Sequence, residues 1–519
     1  MRPMSGVPTR ALHDKLMAGL AASPRKDAAR LLPAGGALDV DSFERRVLGA
    51  ERRLVRAGTI SGRQVAEPDS GQLVLLSCRN IDAYLVAIAT LWKRGFVPLL
   101  ADADLPREEI ARLVRVFRPG FCLFDRRVDP EGGDTESLGD SLAGLHSWIP
   151  PRRGGKPDDG RDGTRLDGRP GAAIVRLTSG STGRPRGIVV TADQLLADAD
   201  QIARTVGIRP NDTLVTAIPL GHAFGFTHIL MMLVLQGTRP LLLEQPLPAI
   251  LVEALSSPGP LVMPATPYLF QLLLQSAGRK SFKGLRLCLS AGAPLPEELS
   301  RAFKERFGLP LRTFYGASEC GGISYDRSRE GVVPDGCVGT PLEGVEVTLR
   351  PERGHEEGTG RVCVRSAAVS ECYLPAEGTD LEPGRFLTSD LGRIEEGGLI
   401  RILGRVDRMI NVGGRKVNPA EVEAVLRAVP GVRQAVVVGV PDRNRGQAIC
   451  ACVVAARSLT REALMAACGL RLASYKMPRH IELLDRIPTN ARGKTEYRAL
   501  VSSVPPLRPR PPRPTLHRS

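Results

Sequence analysis

The chain has 519 residues, 42% hydrophobic and 24% charged, so at about 150 residues per domain it holds about two to four domains with sizeable cores, and a peptide, a mini-scaffold or a disordered chain is excluded. Lys and Arg number 71 against 56 Asp and Glu, a net charge of +15. The basic residues are spread along the chain and aromatics are only 4%, so no basic and aromatic stripe is available for stacking bases, which argues against a nucleic-acid partner.

The first thirty or so residues space Leu12, Leu16 and Leu20 as one amphipathic helix. From Leu73 the string LVLLSC reads as a buried strand, Ile81 to Lys93 as a helix, and Phe96 to Leu100 as a second strand, a βαβ unit. A helix from Pro106 to Phe117 and a strand from Phe121 to Phe124 continue the alternation, which predicts a parallel sheet covered by helices. Between Asp125 and Pro170 the composition shifts to Gly, Pro, Asp and Arg, predicting a long flexible surface loop.

Alternation resumes after Ala172 and persists to about Leu311, then gives way to short strands and turns from Gly339 to Leu403, a β subdomain. After Gly404 a compact module follows. It comprises a helix from Pro419 to Val429, strands from Gln434 to Val440 and Ala448 to Ala455, a helix from Arg461 to Arg471 and a strand from His480 to Leu484. The tail is rich in Pro and Arg and predicts disorder. The fold class is therefore α/β: a large N-terminal domain of helix-covered sheets with a β subdomain (1–403), a small C-terminal α/β domain (404–502) and a disordered tail (503–519).

Ten cysteines show no CxxC pair and no His at zinc spacing, which predicts reduced thiols. The N-terminus carries no apolar run suited to secretion, and the best apolar stretch, Ile229 to Leu235, is too short to span a bilayer. A cytoplasmic protein without a membrane span is expected.

The strongest local signal is Thr178-Ser179-Gly180-Ser181-Thr182-Gly183-Arg184-Pro185-Arg186-Gly187, directly after an apolar strand. Its glycines let the backbone turn tightly, while hydroxyls and N–H groups supply donors for phosphate oxygens and Arg186 adds positive charge. An ordinary Ser/Gly hairpin loop is the plainer reading. A Walker-type loop is excluded, because Gly187 is followed by Ile188, and Gly493-Lys494-Thr495 has Pro488 where the first Gly belongs.

Further motifs follow in order: PLGHAFG from Pro219, SAGAPLP from Ser290, YGASE from Tyr315, TSDLGRI from Thr388, GRVDRMINVGGRKVNPAEVE from Gly404 and the GK at Gly493. In this order, over roughly residues 50 to 500, the chain resembles the AMP-forming adenylating enzymes, a superfamily of acyl-CoA synthetases, aryl-CoA ligases, adenylation domains and luciferases. The resemblance implies that a carboxylate reacts with ATP to give an acyl-adenylate and pyrophosphate, and that the acyl group then passes to a thiol. Attack of one anion on another calls for charge neutralisation and positioning.

What the resemblance implies for single residues is specific. Glu319 of YGASE matches the magnesium-binding acid, with Tyr315, Gly316 and Ser318 beside it; Arg186 and the loop Thr178, Ser179, Gly180, Ser181, Thr182 and Gly183 match the phosphate site. Gly292, Ala293 and Pro294 match the segment flanking adenine, and Asp390 and Arg405 the ribose-binding pair. Lys494 matches the lysine that reaches the adenylation site from the C-terminal domain, Asp407 the hinge about which that mobile domain rotates, and Gly413 and Gly414 the loop lining the pantetheine tunnel. His222 matches an aromatic gate near the acid pocket, whose wall would include Phe224, Gly225 and Met263. Taken singly, the charged residues would be ordinary surface charges and the glycines ordinary turns.

Four positions depart from the family pattern: Arg186 for Lys, Ser389 for Gly, Cys372 for Gly and Arg408 for a second Asp. Ala223 to Thr227 contains no carboxylate for a substrate ammonium, which disfavours an amino acid and leaves a fatty or aromatic acid. ATP, Mg²⁺ and coenzyme A are the implied ligands. The phosphopantetheine of an acyl carrier protein is the alternative acceptor, and a non-catalytic adenylate-binding or scaffold relative is the alternative of another class.

Overall fold

The computed structural model describes residues 8–22, 27–32, 37–56, 71–79, 81–128, 135–137, 145–149, 164, 166, 169, 171–178, 185–328, 331–332, 334–352, 356–375, 380–412, 415–442, 446–472, 474–489 and 495–503. It divides into two compact units. The first comprises Met1–Arg350, Val362–Thr388 and Ile394–Arg401; the second comprises Pro351–Arg361, Ser389–Arg393 and Ile402–Ser519.

The first unit holds two large sheets. One runs Cys372–Leu374, Arg186–Thr191, Ala172–Thr178, Val97–Ala101, Leu73–Ser77, Phe121–Phe124, His146–Trp148, Thr135–Ser137. Its centre is parallel, with Leu75 opposite Leu99 and Cys122, and Leu99 opposite Val175. Leu73–Ser77, Val97–Ala101 and Phe121–Phe124 are buried at every position, as continuous apolar runs in a sheet covered on both faces must be. The helix Thr9–Ala22 buries Leu12, Leu16 and Leu20, the three positions that the spacing selects.

The second sheet runs Thr340–Pro341, Gly321–Tyr325, Leu311–Ala317, Leu285–Ser290, Leu261–Ala265, Thr213–Thr216, Arg239–Leu243, Asp27–Leu32, Ala37–Asp39. From Asp27–Leu32 to Leu311–Ala317 the pairing is parallel. The helix Ala192–Ile202 is fixed at its start by a capping box, Thr191 with Gln194, which satisfies two end N–H groups reciprocally.

One expectation is corrected in part. Within the stretch assigned to a flexible loop, His146–Trp148 is a strand paired to Phe121–Phe124, and Trp148 and Leu145 are fully buried. Leu145 and Trp148 supply the apolar area that the surrounding Gly, Pro and Asp lack. Most of the remaining loop, and the tail from 504, lie outside the described residues.

The second unit is built on Arg415–Val417, Ile410–Val412, Gly446–Ala455 and Val432–Asp442, with His480–Leu483 added parallel to Gly446–Ala455. Asn418 caps the helix Pro419–Arg427 by accepting from the Ala420 amide at 3.1 Å, and Pro419 occupies the first turn. Its Nδ2 also donates to the Leu403 carbonyl at 2.7 Å, and a Cβ on Gly404 would collide with the Asn418 side chain. All ten cysteines are free, and all but Cys372 are buried. No described helix is long and apolar enough to cross a membrane.

Candidate active site

Most of the matched residues in the first unit follow the carboxyl ends of parallel strands, where α/β sheets open a crevice. Thr178 ends Ala172–Thr178, His222 follows Thr213–Thr216, Gly292 follows Leu285–Ser290 and Glu319 follows Leu311–Ala317; Asp102, which no motif singles out, follows Val97–Ala101 in the same way. Contacts join the strand ends of the two sheets. Arg79 binds Asp125 with Nε at 2.6 Å and also pairs with Glu244, and Asp102 Oδ1 lies 2.9 Å from His222 Nε2.

The Ser/Thr/Gly loop joins antiparallel neighbours, with Thr178 opposite Arg186. Ser179, Gly180, Ser181, Thr182 and Gly183 themselves lie outside the described residues. Arg186 places its guanidinium 4.4 Å from the centroid of the Tyr373 ring. A planar guanidinium stacks on an aromatic face better than an ammonium, which gives the departure from Lys a structural partner. The Tyr373 hydroxyl donates to Glu319 Oε1 at 3.3 Å, and burial together with that carboxylate pushes the phenol pKa up. Arg186, Tyr373 and Glu319 therefore form a row: cation, phenol, carboxylate.

Gly292, Ala293 and Pro294 form an exposed turn, and Thr266 Cγ2 would lie 3.7 Å from a Cβ on Gly292. Tyr315 and Ser318 are half-buried and Gly316 is exposed. His222 stands at the start of the turn Ala223–Gly225. Asp102 is off the axis of a ring hydrogen bond, leaving His222 Nε2 unsatisfied, and burial lowers its pKa to about 4.

Phe224 belongs to an aromatic trio that the sequence reading missed. It stacks on Phe314 at 5.8 Å, and His228 sits edge-on to both at 4.4 and 4.5 Å. His228 Nδ1 meets the Phe224 carbonyl at 3.1 Å, Nε2 has no partner, and burial pushes its pKa down to about 3. The signal for His228 was available: it lies four residues after Phe224 in a helical stretch. Gly225 is needed for space, since a Cβ there would collide with the Pro219 carbonyl. Met263 is fully buried in the core cluster that holds Val215, Leu251, Phe270 and Cys288.

In the second unit, Arg405 Nε lies 3.8 Å from Asp390 Oδ1. Asp407 lies in the short turn Val406–Arg408. Its neighbour Arg408 donates to Glu423 Oε1 at 3.0 Å and stacks 4.0 Å over Tyr497. Gly413, Gly414 and Lys494 lie outside the described residues.

Comparison with known proteins bears on the family and the fold. The chain is 28% identical over 419 residues to the oxalate–CoA ligase of Arabidopsis thaliana, covering 76% of each chain. It is 28% identical over 333 residues to the long-chain-fatty-acid–CoA ligase FadD13 of Mycobacterium tuberculosis, covering 62% of this chain and 65% of the relative. The structure of the o-succinylbenzoate CoA synthetase MenE from Bacillus subtilis with its acyl-adenylate intermediate superposes with a TM-score of 0.77 at 22% identity, covering 96% and 98% of the two chains. The sequence profile of the AMP-binding enzyme family matches residues 66–374, more than half of the chain, and that of its C-terminal domain matches 421–494. The chain belongs to the AMP-binding enzyme family.

Proposed function

We propose that the chain is an AMP-forming acid–thiol ligase. A carboxylate oxygen attacks the α-phosphorus of ATP, pyrophosphate leaves, and the acyl group of the resulting adenylate passes to the sulfur of coenzyme A with release of AMP. The row Arg186, Tyr373, Glu319 beside the Ser/Thr/Gly hairpin carries this reading. It offers a fixed cation for phosphate and a carboxylate held by a phenol, as charge neutralisation between two anions needs.

Glu319 also suits Mg²⁺. The described residues contain no cluster of three acidic, His or Cys ligands, and Mg²⁺ binds through one or two carboxylates, waters and substrate phosphates rather than in a protein cage. Bound there, the ion would supply charge neutralisation at the phosphates. Arg186 and the hairpin hold the phosphates, Gly292 to Pro294 flank the adenine, and Asp390 and Arg405 take the ribose hydroxyls. Lys494 neutralises the α-phosphate and the carboxylate. Rotation about Asp407, between domains 1–403 and 404–502, exchanges Lys494 for the Gly413-Gly414 loop and its thiol tunnel, so that one site serves both half-reactions.

The aromatic trio of Phe224, His228 and Phe314 and the lack of a carboxylate in Ala223 to Thr227 favour a fatty or aromatic acid. Coenzyme A is the first choice of acceptor, and the phosphopantetheine of an acyl carrier protein competes with it. Ten free thiols support a reducing, cytoplasmic setting.

The test is carboxylate-dependent pyrophosphate release with Mg-ATP over a panel of fatty, aromatic and amino acids, followed by comparison of the two acceptors. Release with a fatty or aromatic acid is expected. Silence across the panel with ATP still bound would turn the reading to a non-catalytic relative. Lys494→Ala should suppress adenylate formation while sparing thioester formation from supplied acyl-adenylate; equal loss of both halves would contradict its role.

A further inference from the structure

Beneath the turn that carries Glu319 lies a buried ion pair that no motif announces. Arg176, on the strand leading into the Ser/Thr/Gly hairpin, is 3% exposed, and Asp198, on the helix Ala192–Ile202, is 2% exposed. Arg176 donates through one terminal nitrogen to the Ser318 carbonyl at 3.3 Å and through the other to Thr227 Oγ1 at 3.2 Å. That second nitrogen lies 4.0 Å from Asp198 Oδ2. Asp198 accepts from Thr227 Oγ1 at 3.0 Å and from the Gly322 amide at 2.9 Å.

The two charges thus grip the two ends of the turn. Arg176 holds the carbonyl just before Glu319, and Asp198 holds the amide at Gly322. Gly321 has φ +70°, and a Cβ there would collide with the Asp198 carboxylate, so the backbone closes directly onto it. Thr227, bridging the pair, follows Phe226 in the π-helical turn Phe226–Met231, continuous with the wall that holds Phe224 and His228.

A buried ion pair is weak grounds for stability, because desolvation of both charges offsets their attraction. Here burial moves each member toward neutrality, raising Asp198 and lowering Arg176. A feature this costly is better explained by what it holds in place.

We propose that Arg176 and Asp198 are positioning residues for Glu319: they clamp the turn Ser318–Gly322 so that the carboxylate is preset for the metal-bound nucleotide, and through Thr227 they lock that turn to the wall of the acid pocket. The proposal rests on Glu319 as the metal-binding acid. Residues that orient a ligand side chain typically change metal affinity about 10- to 100-fold when altered.

The experiment is calorimetric titration of ATP binding to the full chain over a range of Mg²⁺ concentrations, with melting temperatures measured in parallel. It compares wild type, Glu319→Gln, Arg176→Lys, Asp198→Asn and the double variant Arg176→Met/Asp198→Asn. Glu319→Gln should remove the Mg²⁺ dependence; if it does not, or if wild type shows none, the reading of Glu319 fails and the proposal with it. Given that control, Asp198→Asn should lower the melting temperature and raise the half-saturating Mg²⁺ concentration at least about tenfold.

The double variant has no unpaired buried charge and should recover melting temperature. It should keep a raised Mg²⁺ requirement, since Arg176→Met leaves the Ser318 carbonyl without its donor. A folded double variant within twofold of wild-type Mg²⁺ dependence would reduce the pair to a structural role and overturn the proposal. Arg176→Lys, which keeps the charge but loses the fork, decides the matter if the double variant does not fold: a raised Mg²⁺ requirement at unchanged melting temperature supports positioning, and wild-type dependence overturns it.

Discussion

Tyr373 stands between charges of opposite sign, its ring face toward Arg186 and its hydroxyl toward Glu319. Its strand, Cys372–Leu374, pairs with Arg186–Thr191, placing Tyr373 opposite Ile188, so the backbone ladder fixes where the phenol sits. Tyr373→Phe keeps the ring under Arg186 and removes the hydroxyl. We expect a loss of about 1–1.5 kcal/mol in kcat/KM for ATP, roughly tenfold, with the melting temperature nearly unchanged; an unaltered kcat/KM in the pyrophosphate assay would show that the hydroxyl does not orient Glu319. The sequence made Glu319 and Arg186 legible through their motifs. It left Tyr373, Asp102, Arg176 and Asp198 unread, because their roles arise only where elements distant in the chain meet, and no spacing along one strand or helix encodes that meeting.

Elements were read more readily than their partners. Leu73–Ser77, Asp82–Lys93, Val97–Ala101, Arg107–Phe117 and Phe121–Phe124 fall within a residue or so of the apolar runs that predict them, because buried parallel strands and amphipathic helices write their periods directly into the chain. His146–Trp148 escaped because three residues in a polar surround carry no period. Ile410–Val412 and Arg415–Val417 were missed for the same reason.

The turn after Asp407 shows what a departure from pattern becomes at this scale. Arg408 is held by Glu423, whose Oε1 also accepts from the Val437 amide at 2.9 Å, so one carboxylate ties the turn, the helix Pro419–Arg427 and the strand Val432–Asp442 together. Glu423→Gln should lower hydrogen-exchange protection of the Val437 amide about tenfold, a local loss near 1.4 kcal/mol. Unchanged protection would mean that the carboxylate's charge contributes nothing to that joint.

Across the whole molecule, buried imidazoles set the response to acid. His13, His222 and His228 all have pKa values lowered chiefly by burial, His222 to about 4 and His228 to about 3. The unfolded chain therefore binds more protons below about pH 6.5, and stability is lost as pH falls from there, by up to about 1.4 kcal/mol per pH unit for each histidine still neutral in the fold. Above pH 6.5 these groups contribute no slope. Asp198, raised by burial, acts in the opposite direction as its carboxylate protonates. The urea midpoint should fall between pH 7 and pH 5, and His228→Asn should flatten that fall; a midpoint that is level or rises on acidification would contradict the assignment. The α/β class was legible from alternation alone, whereas the titration of these histidines required knowing which of them the fold strips of water.

The distribution of thiols carries a practical consequence. Nine cysteines are sealed inside, and the one left partly open, Cys372, is the residue before Tyr373. A small thiol-reactive fluorophore would therefore select Cys372 without any removal of native cysteines. The probe would sit one residue from the phenol that joins Arg186 to Glu319, and a change in its emission on addition of ATP would report nucleotide arrival in an otherwise unaltered chain.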